Sequence, residues 1–142
     1  MSEKKLKITI DTNMLVAYMF NKKSSSSRIL ELAFEGAVDI VWSCRIKKEA
    51  ELITRKISRA VPGAGIDLEK VFRQENKIEN VPDIENVSED PDDDKFLACA
   101  AASGADMIVS NDKHLLNLKN FRGIPICDAG QAVKMLTGKG RR

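Results

Sequence analysis

Ser88-Glu89-Asp90-Pro91-Asp92-Asp93-Asp94-Lys95-Phe96-Leu97-Ala98 opens the stretch that decides the fold. It runs through small residues to Gly104, then through Asp106-Met107-Ile108-Val109-Ser110-Asn111-Asp112-Lys113-His114-Leu115-Leu116. The order reads as loop, helix, tight turn, strand, loop. Pro91 suits a first helical turn, because its φ is preset and its missing N–H is not needed there. Asp92, Asp93 and Asp94 then fall where the helix dipole favours negative charge. Gly104 is a natural helix stop, Met107-Ile108-Val109 is a short apolar strand, and Asp112 follows its end.

Outward from this stretch, strands and helices alternate. Leu6–Ile10 has a strand pattern and ends at Asp11. A helix follows to Phe20, and a Ser-rich loop at 21–27 offers N-caps for a helix over 28–35. Ala37–Trp42 reads as a second strand, and Ser43 as the N-cap of a helix to about Arg59. Val61-Pro62-Gly63-Ala64-Gly65 breaks the chain. Asp67 is placed as the cap of a helix to about Lys77, and Val81–Val87 as a weak strand. Ile124-Pro125-Ile126-Cys127 is expected at a sheet edge, since proline cannot donate to a ladder. Asp128 opens a last helix to Thr137, before a basic tail at 138–142. Such alternation predicts a mainly parallel sheet with helices on both faces, within one domain over 1–137.

In sheets of this kind, ligands bind beyond the C-terminal ends of the strands. Asp11 and Asp112 then share one edge of the sheet, and the start of the helix after Pro91 lies at the same edge. Either residue could be a plain N-cap, and an acidic run is usually a solvated helix start. At about 100° per residue, only one of the three consecutive aspartates can face the site. Asp94 lies one turn before the apolar face of Phe96, Leu97, Ala100 and Ala101 and is the choice, with Asp92 in reserve. Several carboxylates at one edge raise each other's pKa unless a cation neutralises them. All-oxygen ligands select Mg²⁺ or Mn²⁺, ions that activate water for attack at phosphorus. Asn13 and Ser110 lie beside the acids as auxiliary candidates. Glu49 borders the apolar face of Ile46, Ala50 and Ile53, and spacing alone leaves it a salt-bridged residue at the core edge.

Composition narrows the function classes. The net charge of +2 is uneven: residues 61–94 hold 11 acidic and 3 basic side chains, and both flanks are net basic. Arg45, Lys47, Lys48, Arg55, Lys56 and Arg59 make one helix basic, a solvated face or a cradle for a nucleic acid backbone. No Gly-rich phosphate loop is present. A single histidine, His114, excludes a multi-histidine zinc set. Cys44, Cys99 and Cys127 form no C-x-x-C pair, and reduced, buried thiols in a cytoplasmic protein are expected. No segment is apolar enough to cross a membrane.

Taken in order, Ile10-Asp11-Thr12-Asn13-Met14-Leu15, Ser43…Ile46…Glu49, Asp90–Ala98 and Ala105–Leu116 make the chain resemble a PIN domain. That metal-dependent nuclease fold includes the toxins of prokaryotic toxin–antitoxin pairs. The resemblance implies a three-layer α/β/α sandwich with four site acids: Asp11, Glu49, Asp94 and Asp112. Asp11, Asp94 and Asp112 would hold Mg²⁺ or Mn²⁺, and Glu49 would complete the cluster or orient water. It also implies endonucleolytic cleavage of RNA, a homodimer and a small antitoxin partner. An RNA-processing or RNA-binding module without a toxin role is the alternative. A phosphohydrolase or receiver-type domain is disfavoured, because Asp11-Thr12-Asn13 lacks the adjacent second aspartate. Residues 61–87 match none of these motifs.

Overall fold

The computed structural model describes residues 5–84, 87 and 90–138. Its first unit is β1 (Leu6–Ile10), followed by α1 (Thr12–Phe20), α2 (Ser25–Phe34) and β2 (Val38–Ile40). The long helix α3 (Cys44–Ala60) and the single turn α4 (Leu68–Val71) come next. A 3₁₀ turn at Pro91–Asp93 leads directly into α5 (Asp94–Ser103) and β3 (Met107–Val109). The chain closes with α6 (Lys113–Leu116), β4 (Asn120–Phe121), β5 (Ile124–Cys127) and α7 (Ala129–Thr137).

The five strands form one sheet in the order β2-β1-β3-β5-β4, parallel except for β4. From β1 the chain crosses to β2 on one side; from β2 it returns past β1 to β3. Right-handed crossovers in opposite directions put their helices on opposite faces. Accordingly, α1 packs on α2 and α2 on α7, whereas α5 lies on β1 and β3. The strands are apolar on both faces, as a covered parallel sheet requires: Ile8, Ile10, Ile40, Met107, Ile108 and Val109 are all buried. Among the described residues, no helix is long and apolar enough to cross a membrane.

The order also creates a crevice. From the C-terminal end of β1 the chain leaves toward β2, and from that of β3 it leaves toward β5. Neighbouring parallel strands whose exits diverge define the switch point where ligands bind in such sheets. Pairing of Ile10 with Val109 and the bond from Asp11 N–H to Val109 O, at 3.3 Å, hold the two exits side by side.

Three expectations are corrected. The helix capped by Asp67 stops at Val71 instead of Lys77. Val71 and Phe72 are buried, and Phe72 packs on Trp42 with ring centroids 5.6 Å apart. Trp42 Nε1–H donates to Arg73 O at 2.7 Å. Docking on Trp42 thus redirects the chain, which then bridges in parallel to Trp42 through Lys77. Second, no strand forms at the described positions of 81–87; residues 81–84 instead line a groove. Third, β5 is not the edge. Arg122 and Gly123 have φ of 52° and 84°, the left-handed pair of a two-residue hairpin, and this turn folds β4 onto the outside of β5. The basic tail beyond Gly138 lies outside the described residues.

Gly104 ends α5 in the left-handed region at φ 66°, and a Cβ there would meet nothing within 4 Å. The cost of a side chain is therefore purely conformational. Gly104→Ala is expected to lower unfolding stability by about 1–2 kcal/mol, read from the urea midpoint at unchanged slope.

Candidate functional site

The crevice between β1 and β3 is lined by carboxylates fixed through their own backbones. Asp11 is the N-cap of α1; its Oδ1 accepts from Met14 N–H at 3.2 Å, and its Oδ2 accepts from the Ser110 hydroxyl. Ser110 Oγ in turn accepts from Asp112 N–H at 2.9 Å. One buried hydroxyl therefore ties the residue after β1 to the loop after β3. Asp112 caps α6, taking His114 N–H on Oδ1 at 2.8 Å.

Glu49 reaches the cluster from α3. The Thr12 hydroxyl donates to Glu49 Oε1, and Lys95 Nζ lies 2.8 Å from Oε2. The same ammonium donates to Asp92 O at 2.5 Å. Glu49 is thus the salt-bridged core-edge residue that its spacing suggests, and its charge also bears on Asp11.

Of the acidic run, Asp93 feels the charges of Asp112, Asp90 and Asp11. Asp94 opens α5, is buried, and lines the neighbouring groove together with Glu49. Asp92 is exposed on that groove, and Asn13 is exposed on α1. Residues 91–93 form a 3₁₀ turn ahead of α5, capped by Asp90, which accepts from Asp92 N–H. Thr12 was also missed, since only the fold brings it to Glu49.

The electrostatics are those of crowded, buried carboxylates with Lys95 as a partial counter-ion. Burial raises the Asp11 carboxyl from 3.8 to about 6, against the lowering effect of its bonds from Ser110 and Met14. Burial, then the charges of Asp112, Asp90 and Asp11, raises Asp93 to about 7. Asp93 Oδ2 is buried with no hydrogen-bond partner among the described residues. A buried carboxylate oxygen without a donor, among like charges, costs free energy that a divalent cation removes. The donor set is oxygen-rich, with His114 the one imidazole nearby, and so fits such an ion.

Beside this cluster lies a groove of about 500 Å³. Cys44, Arg45, Lys48 and Glu49 form one wall, residues 78–84 another, and Asp92, Asp94 and Lys95 a third. Arg45 is paired with Asp83 at 3.0 Å with both side chains largely exposed, an attachment of little strength. Acid and base thus face the same space.

The fold agrees with the comparisons to known proteins. Residues 7–114 match the family described as PIN domain, and the chain belongs to that family. PIN domains have a nuclease-type fold, generally act as hydrolases on RNA and typically bind a divalent metal. The chain is also 29% identical over 124 residues to the uncharacterized protein MJ1680 of Methanocaldococcus jannaschii, covering 84% of this chain and 79% of that one. No solved structure matches it significantly.

The raised carboxyls set a pH dependence. Folded Asp11 and Asp93 keep their protons to higher pH than the unfolded chain does. Their contribution to stability is full below their ordinary value of 3.8 and is lost as pH rises through about 6 and about 7. In chelator, the urea midpoint is therefore expected to fall between pH 5 and pH 8, and saturating Mn²⁺ should flatten that fall. Asp93→Asn in chelator at pH 8 should be more stable than the parent chain; an unchanged midpoint would contradict the cluster.

Proposed function

We propose that this protein is a Mg²⁺- or Mn²⁺-dependent endoribonuclease. Asp11, Asp93 and Asp112 hold the cation, and Glu49 and Asp94 stand between it and the groove. The observation that carries this reading is the tie of Asp11 and Asp112 through Ser110 at the switch-point crevice, with Asp93 feeling both charges and holding a buried oxygen that has no hydrogen-bond partner among the described residues. A bound ion there supplies Lewis-acid charge and lowers the pKa of a coordinated water.

The chain's own residues do the rest. The Ser110 hydroxyl holds Asp11 and the Asp112 backbone in one register. Thr12 and Lys95 fix Glu49, so its carboxylate can orient a water without swinging into the groove. Arg45 and Lys48 offer positive charge to a phosphodiester backbone, with Arg45 exchanging Asp83 for phosphate. The finer reading is the toxin half of a toxin–antitoxin pair, acting as a homodimer. It rests on the family resemblance, and the exposed Phe20 on α1 and Leu52 on α3 offer apolar surface for a protein partner. Its test is a short reading frame directly upstream whose product binds the chain and blocks its cleavage.

Incubation of purified protein with total RNA should give cleavage with Mn²⁺ and none with chelator. Asp93→Asn is expected to lower the rate at least about 100-fold, more than the loss of a ligand's supporting partner usually costs, in a chain that still folds. Asp94→Asn is the comparison: loss on that substitution, with Asp93→Asn fully active, would move the third ligand to Asp94. Full metal-dependent activity in both variants would remove the reading. Lys48→Ala should weaken RNA binding and reduce the slope of log affinity against log salt by about 0.7, one phosphate contact on a single strand.

A further inference from the structure

The single histidine of the chain stands on the outer side of the acid cluster. A ring nitrogen of His114 and one carboxylate oxygen each from Asp90 and Asp93 lie within 4.8 Å of one another. Asp93 is only 7% exposed, and its Oδ2 is buried with no hydrogen-bond partner among the described residues. A buried acceptor of this kind calls for a partner, such as a water or an ion.

The backbone of each of the three residues is fixed locally. Asp90 caps the 3₁₀ turn, taking Asp92 N–H on Oδ1 at 3.0 Å. Asp93 ends that turn. His114 N–H is bonded to Asp112 Oδ1 at 2.8 Å, and its Nδ1 lies 3.6 Å from the same oxygen. The imidazole is exposed, so a cation it touched would keep open positions for water and would exchange freely.

We propose that His114, Asp90 and Asp93 form a mixed nitrogen–oxygen cation site that shares Asp93 with the Asp11–Asp112 side and takes a divalent transition metal in preference to Mg²⁺. The inference rests on the cation-dependent reading of the cluster and adds the choice of ion. Mg²⁺ demands oxygen ligands and gives up water reluctantly. An imidazole nitrogen is a good ligand for the later divalent metals and a poor one for Mg²⁺. Replacing one oxygen donor by His114 therefore shifts the preference of this rim toward ions such as Mn²⁺ or Zn²⁺. The plain alternative is a histidine that only leans on Asp112.

Because the chain has one histidine, pulsed electron paramagnetic resonance of tag-free protein with Mn²⁺ gives a clean readout. The ¹⁴N modulation of a metal-bound imidazole should be present, and it should vanish in His114→Asn. By titration calorimetry, that substitution should weaken Mn²⁺ binding at least about tenfold and leave Mg²⁺ binding unchanged. Mn²⁺ bound without ¹⁴N modulation, or with modulation that survives His114→Asn, would overturn this site and leave the ribonuclease reading standing. Failure to bind Mn²⁺ at all would overturn both. The parent protein alone decides the first point, so the result does not hang on the folding of a variant.

Discussion

A buried serine hydroxyl holds the functional end of this molecule together. Ser110 donates to Asp11 and accepts from the Asp112 backbone, so two loops that leave adjacent strands in opposite directions are joined at one atom. The sheet order supplies the crevice, but parallel pairing alone would leave its two lips to find their own positions. Burial makes this joint strict: Ser110 is fully buried and Asp11 nearly so, and an unmatched polar group at that depth would cost about 1–3 kcal/mol. The carboxylates on either side are consequently held before any ligand arrives.

Holding them has a cost that is visible in the raised carboxyls of Asp11 and Asp93. Like charges are brought together inside the protein, with Lys95 as a partial counter-ion committed chiefly to Glu49. Glu49 sits at the margin of this crowding, its charge met by the ion pair with Lys95.

Much of this arrangement was legible in the sequence, and the exceptions have physical causes. Asp11 and Asp112 could be placed because strand ends are visible in hydrophobic patterning and parallel topology puts like ends together. Gly104 marked a real helix end for the same local reason. Asp93 and Asp94 are neighbours at a junction of 3₁₀ and α winding, and composition carries no mark of that change, so patterning does not tell the two apart. The contact of Thr12 with Glu49 joins residues from different elements and has no local signature. The helix after Asp67 stops short of Lys77 because residues 72–78 dock on Trp42, a tertiary contact that overrides helix propensity after Val71. The short β4 strand was hidden because the Arg122-Gly123 turn was not weighed, although it fixes the hairpin.

The distribution of thiols gives the groove a built-in handle. Cys99 and Cys127 are buried, and burial pushes their thiols up to about 12 and about 11, so neither forms the reactive thiolate at neutral pH. Cys44, against the expectation of a buried thiol, is exposed, because the first turn of α3 buries Ile46 and leaves position 44 on the groove wall beside Arg45. A fluorophore or spin label carried by a thiol-reactive group will therefore attach to the unaltered chain at one position, next to where a bound strand would pass. Occupancy of the groove can be followed from that single reporter without changing any residue of the acid cluster.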